Sequence, residues 1–191
     1  MKSKKIVVVT GPAASGKNEV CKVFRDSGFY IIDADTLGHQ VLRDNASKIR
    51  RIFGPEVVKH GRVDRRALGA LAFSDEKLLK ALNSFSHPKI QKAIKNKIKM
   101  SRRKKIAVNA ALFKELSLFG LADIVISVIA DERARMLRLV KKRGVPPDKA
   151  KGIIRAQLPV RYYKSIADIV IVNDSSVAEL KRKAKEAISC V

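Results

Sequence analysis

The sequence predicts an α/β fold: a five-stranded parallel sheet with a phosphate-binding loop, an inserted helical lobe and a small helical lid. Three observations carry this. Five short runs rich in Val and Ile are separated by helical patterns. A glycine loop of spacing G-x-x-x-x-G-K follows the first run directly. Between the second and third runs lie roughly seventy residues with helix signals and no strand signal, too long for one crossover. A chain of 191 residues buries roughly 70% of the surface exposed by its unfolded form, enough for a core without disulfides or metal staples. The 46% hydrophobic content falls in periodic blocks, which excludes intrinsic disorder. No run approaches the about 20 apolar residues of a membrane span. The start, MKSKKIVVV, imitates a signal peptide, but its apolar run stops short of the roughly 7–15 residues such a segment needs. Cys21 and Cys190 lack metal-ligand spacing and read as unpaired thiols in a reducing compartment. A soluble, cytoplasmic chain with no membrane partner is expected.

The runs are Lys5–Thr10, Phe29–Asp33, Lys105–Ala110, Asp123–Ala130 and Asp168–Asn173. They are nearly continuous in Val and Ile rather than alternating, as expected of strands covered on both faces. Intervening helices imply parallel pairing with right-handed crossovers. The expected core is residues 1–35 and 104–191, with a lid at about 131–160, and the helical lobe is 36–103. Helix starts inside the lobe are legible at Asp64, before RRALGALAF, and at Ser74-Asp75, before EKLLKAL. His87 precedes Pro88, which suits a first helical position. His39 and His60 have no metal-ligand pattern around them and read as structural.

With 41 Lys+Arg against 18 Asp+Glu the net charge is +23, which attracts polyanions at long range. Cations are densest at Lys89–Lys105 and Arg133–Arg143. In the first stretch Ile90, Ile94 and Ile98 form an inward stripe, which leaves the lysines on a solvated face. Aromatics are only 5% and do not interleave the basic runs, so no stacking surface for bases is expected. Specific nucleic-acid binding is therefore not predicted.

Gly11-Pro12-Ala13-Ala14-Ser15-Gly16-Lys17-Asn18 follows the first strand and opens a helix over Gly16–Asp26. Successive backbone N–H groups in such a loop curl around an anion, and the helix N-terminus adds the positive end of its dipole. Lys17 then reaches the β- and γ-phosphates as a point charge. The pattern wants Ser or Thr next, whose hydroxyl ligates Mg²⁺; this chain has Asn18, whose carboxamide oxygen is a weaker candidate ligand.

The second run ends in Asp33-Ala34-Asp35. Acids at i and i+2 share one side of extended chain, and strand C-terminal ends are where open α/β sheets bind ligands. The pair suits holding Mg²⁺ or accepting a hydroxyl proton during phosphoryl transfer. Asp35 can instead cap a helix beginning at Thr36. After the fourth run, two helices flank Gly144-Val145-Pro146-Pro147. Arg135, Arg138 and Lys142 fall at i, i+3 and i+7, one face of the first helix, with Met136, Leu137 and Val140 on another. An arginine-rich helical pair suits a lid that neutralises charge on a transferred phosphoryl group.

TGPAASGKNEV, GFYIIDADTLGHQVL, FG-PEVVKHGRVDRRALGALAFSD, HPKI, AQLP and ADIVIVND, in this order, resemble the dephospho-CoA kinase family. The resemblance runs from the first strand to the final helix. It implies a P-loop kinase core, a helical CoA-binding lobe and a lid, with ATP phosphorylating the 3′-hydroxyl of the dephospho-CoA ribose in the presence of Mg²⁺. By resemblance the nucleotide-phosphate site comprises Ala14, Ser15, Gly16, Lys17, Asn18 and Glu19. Asp35 is the implied general base with Asp33 supporting it, and Asn18 and Asp33 are candidate metal ligands. Arg65, after Asp64, and His87 match substrate-binding positions. Arg138 matches a lid arginine; Lys142 stands where a second is usual, with Arg143 adjacent. The third run, VNAALFKE, departs from the family's D-x-P-L-L-F-E pattern and supplies no acid. A P-loop kinase with a nucleoside or nucleotide acceptor, and a basic nucleic-acid-binding protein that uses nucleotide as a switch, are the competing readings.

Overall fold

The computed structural model describes residues 4–191 and divides into two compact units. One comprises the described residues up to Asp33 together with Met100–Val191; the other is Ala34–Lys99.

The first unit is built on five parallel strands: β1 (Lys5–Thr10), β2 (Tyr30–Asp33), β5 (Lys105–Asn109), β6 (Ile124–Ile129) and β7 (Ile169–Val172). Their order is β2-β5-β1-β6-β7. Each strand lies within one residue of its expected bounds at either end, because continuous Val/Ile runs leave little doubt about period or length. The chain leaves β1 toward β2 on one side and passes from β5 to β6 on the other. The crevice at the C-terminal ends of β1 and β5 is thus the topological switch point where such sheets bind ligands. Helix α1 (Lys17–Asp26) and the final helix, Val177–Ser189, cover one face of the sheet. There Val20, Val23 and Phe24 pack with Val7, Val9, Ile126, Val128, Leu180 and Ala184. Cys21 belongs to the same cluster at 3% exposure, as its position on the inner stripe of α1 requires.

The second unit contains α2 (Ala34–Asp44), α3 (Ala46–Phe53), a 3₁₀ turn at Pro55–Val57, α4 (Arg65–Ser74) and α5 (Glu76–Met100), which ends just past the boundary. Its core is Ile49, Phe53, Val57 and Leu68, flanked by Leu71, Leu82 and Phe85. Two expectations fail here. The segment is not strandless: β3 (Val58–Lys59) and β4 (Arg62–Val63) pair as a minimal antiparallel hairpin. Its two-residue turn has His60 at φ 48 and Gly61 at φ 73, the pair of positive angles that matches strand twist in a type I′ turn. Pro88 does not begin a helix but lies inside α5. The missing N–H and the ring would ordinarily break the helix there. Burial of Ile90, Ile94 and Ile98 on one stripe outweighs that cost, and Ser86 Oγ and Lys89 Nζ donate to the Leu82 and Phe85 carbonyls in the same turns.

Asp64 is the N-cap of α4, accepting from the N–H groups of Arg66 (3.0 Å) and Ala67 (3.1 Å), while Lys59 Nζ lies 3.0 Å from its other oxygen. The Lys59 contact first, then the capping bonds, hold its carboxyl below the usual carboxylate value. A carboxylate with a depressed folded-state pKa stabilises the fold above its unfolded pKa, and that contribution is lost as pH falls through the folded value. Asp64→Ala is expected to lower Tm by about 2–4 °C at neutral pH. The gap from wild type should close as pH is taken below about 3.9 toward the folded pKa; equal melting of the two proteins at pH 7 would refute the capping role.

Candidate active site

The glycine loop is shaped by three positive φ angles: Gly11 at 138, Ala14 at 59 and Gly16 at 113. A Cβ on Gly11 would overlap the Val128 carbonyl oxygen, and one on Gly16 would overlap Asn173 Nδ2, so glycine is required at both. Ala14 is the costly position, since an L side chain is disfavoured there. Its methyl is compensated by burial with Leu139, Ala150 and Ile154.

Held carbonyls orient the loop. Arg138 Nη1 donates to the carbonyls of Ala14 (3.1 Å) and Ser15 (3.3 Å), and its Nη2 donates to the carbonyl of Asn173 (3.2 Å). Asn173, 6% exposed, donates from Nδ2 to the same Ser15 carbonyl at 2.7 Å. In a trans peptide the N–H points opposite to the C=O, so pulling the Ser15 oxygen back aims the Gly16 N–H the other way. The Glu19 N–H turns back to the Gly16 carbonyl at 3.0 Å, and the N-terminus of α1 adds the positive end of the helix dipole to the loop. The Ala13 N–H is already used, donating to Gln157 Oε1 at 2.9 Å. Lys17 Nζ donates to the carbonyls of Gly11 (2.8 Å) and Pro12 (2.9 Å). Glu19, in the first turn of α1, pairs with Lys22 at 2.7 Å.

Asp33 closes β2 directly opposite Asn109 of β5 in the parallel register. Asn109 Nδ2 donates to Asp33 Oδ2 (2.7 Å) and to Asn18 Oδ1 (3.0 Å). Asn109 is 6% exposed, and its Oδ1 is buried without a partner. Neither Asn109 nor the bracing by Asn173 is foreseen in the sequence reading. The signal for Asn109 lies in the double departure itself: a carboxamide at position 18 and another at the end of the third run.

Asp35 corrects a sequence expectation. The chain is helical from Ala34, so the two-residue alternation of extended chain stops at Asp33, and i,i+2 positions do not share a face on a helix. Asp35 sits exposed within the first turn of α2 and does not cap it. In the second unit Arg65 is the exposed first residue of α4, and His87 is half-buried in mid-α5.

The lid arginines also need correction. Helix α6 (Glu132–Leu137) passes into a π-helical turn at Arg138–Lys142, and α7 (Pro147–Arg155) follows. The wider π turn breaks the 3.6-residue projection, so Arg135, Arg138 and Lys142 do not form one exposed face. Arg135 is 4% exposed with Nε unpartnered, and burial depresses its pKa; Leu137, assigned to the face of Met136 and Val140, is 46% exposed. Arg138 is turned to the loop carbonyls, whereas Lys142 and Arg143 are exposed.

A hard divalent cation prefers oxygen donors, and Mg²⁺ commonly takes one or two carboxylates plus phosphate oxygens and water. The Asp33 carboxylate and Asn18 Oδ1, both held by Asn109 Nδ2, meet that chemistry with a single carboxylate. Among the described residues no group of three or more His, Cys, Asp or Glu is gathered as for a dedicated metal centre, and no helix is long and apolar enough to cross a membrane.

The family described as dephospho-CoA kinase matches residues 5–179. A dephospho-CoA kinase from Carboxydothermus hydrogenoformans is 32% identical over 185 residues, covering 93% of this chain and 90% of that protein. A crystal structure of a Thermus thermophilus protein superposes with a TM-score of 0.87 at 28% identity, covering 100% of this chain and 99% of that one. The dephospho-CoA kinase from Campylobacter jejuni gives 0.76 at 25% identity, with 97% and 96% covered. With a P-loop and a parallel sheet built as described, and with relatives matching nearly end to end, the chain belongs to the dephospho-CoA kinase family.

Proposed function

We propose that this chain transfers the γ-phosphoryl group of ATP to the 3′-hydroxyl of the dephospho-CoA ribose, giving coenzyme A and ADP. The observation that carries the reading is the braced loop: Arg138 and Asn173 hold the Ala14 and Ser15 carbonyls back, leaving the Gly16 N–H and the α1 N-terminus for phosphate. Ala14 to Glu19 form the nucleotide-phosphate cradle. Lys17 exchanges the Gly11 and Pro12 carbonyls for β- and γ-phosphate oxygens as ATP enters. Mg²⁺, which the Asp33 carboxylate and Asn18 Oδ1 would hold, would supply neutralisation of the polyphosphate charge. Asp35 accepts the proton of the 3′-hydroxyl, so the attacking oxygen gains electron density as the bond to phosphorus forms. Asp33 keeps the cradle's acidic side in place. Arg138 fixes the loop, and the exposed Lys142 and Arg143 meet charge on the transferring group when the lid closes. The Ala34–Lys99 unit takes the acceptor, with Arg65 and His87 as its polar contacts.

Release of ADP, coupled to an indicator enzyme, tests this with dephospho-CoA against a panel of nucleosides and nucleotides. Dephospho-CoA is expected to have the highest kcat/KM of the panel. A nucleoside that exceeds it, or ATP turnover indifferent to all acceptors, would overturn the assignment.

A further inference from the structure

The side-chain pairings at the end of β5 serve neither strand pairing nor core packing. Asn109 spends both amide N–H groups on acceptors from two different elements, Asp33 Oδ2 of β2 and Asn18 Oδ1 of α1. Its own oxygen is left buried and unpartnered, an arrangement that costs free energy unless a donor or cation arrives. A carboxylate at this position would set oxygen against oxygen at both contacts, with like charge at one of them. The amide instead supplies a donor to each. Two oxygens on separate elements thereby become one fixed pair, and the corner carries a single negative charge.

We infer that Asn109 is the positioning residue of this corner, holding Asn18 Oδ1 and the Asp33 carboxylate side by side for the Mg²⁺ that accompanies ATP. The inference rests on the phosphoryl-transfer reading only in that ATP is the nucleotide. Because the donors are protein N–H groups, the oxygen pair is assembled before the cation binds. Loss of an outer partner of this kind typically weakens metal binding 10–100-fold.

The test uses the full chain and no acceptor. Mg²⁺ is titrated by calorimetry into protein with ATP at fixed concentration, and melting is followed in EDTA and in Mg²⁺. Asn109→Ala is expected to raise the half-saturating Mg²⁺ concentration about 10–100-fold, with ATP binding in EDTA changed by less than about twofold. Asn109→Asp should melt below wild type in EDTA, because the new carboxylate faces Asp33 Oδ2 and Asn18 Oδ1 with no donor between them. Adding Asn18→Ser to Asn109→Asp should recover part of that loss of melting temperature in EDTA, because a hydroxyl can donate to the new carboxylate. An unchanged midpoint in Asn109→Ala overturns the inference. So does Asn109→Asp melting like wild type in EDTA; and should Asn109→Ala not fold, the Asn109→Asp variant and its combination with Asn18→Ser decide alone. A wrong acceptor assignment would leave all these readouts intact and show only as failure to turn over dephospho-CoA.

Discussion

Lys17→Ala is expected to cut turnover by about 10²–10³-fold, the usual loss when a transition-state charge contact is removed. The residue follows Gly16, the N-cap of α1, and its ammonium lies against the Gly11 and Pro12 carbonyls, within the loop it must serve. Its removal leaves the sheet and the core cluster of Val7, Val9, Phe24 and Ile126 untouched, so the variant should remain folded, with near-native circular dichroism. Steady-state kinetics with ATP and dephospho-CoA checks this. Residual turnover above about a tenth of wild type would mean that the lysine does not meet the transferring phosphoryl group.

The second large effect is at Asp35. As general base it contributes about 10²–10⁴-fold, so Asp35→Asn should lower kcat by that factor with KM for ATP nearly unchanged. The amide cannot take the proton, so the loss should fall on kcat. Asp33→Asn should behave differently, shifting the Mg²⁺ requirement because its carboxylate is the acceptor in the Asn109 contact. Equal and undiminished turnover in both variants would remove the pair from the chemistry.

The contrast between the two aspartates shows where reading the sequence stops. Strand bounds are legible because Val and Ile runs such as IVVV and IVIV admit one interpretation, and the loop is legible because few folds tolerate Gly11 and Gly16 as they stand. The break between Asp33 and Ala34 is not, since a single residue separates extended chain from helix and no proline or glycine marks it. Nor does the β3–β4 hairpin declare itself, for two-residue strands are too short to show a period; only the His60-Gly61 turn hints at it. At Pro88 the local rule is sound and tertiary burial overrides it. The π turn at Arg138 inverts the expected face of Arg135 without any change in composition. Asn109 eludes a search for a missing acid, because Asp33 reaches it through the pairing of β2 with β5 and Asn18 reaches it from α1. Arg138 is legible as a functional cation, while its hold on three carbonyls of the loop and of Asn173 emerges from the fold alone.

Cys21 lies one helical turn beyond Lys17, and burial first, then the Asp33 charge, pushes its thiol up to about 12. At neutral pH only roughly one molecule in 10⁵ would carry the thiolate there, and thiolate is the reactive form. Cys190, by contrast, is exposed in the final turn. A maleimide dye should therefore attach at the C-terminal end and nowhere near the phosphate loop, so the unmodified sequence provides a single-site optical label. Covalent warheads aimed at the nucleotide pocket through cysteine would find no usable handle.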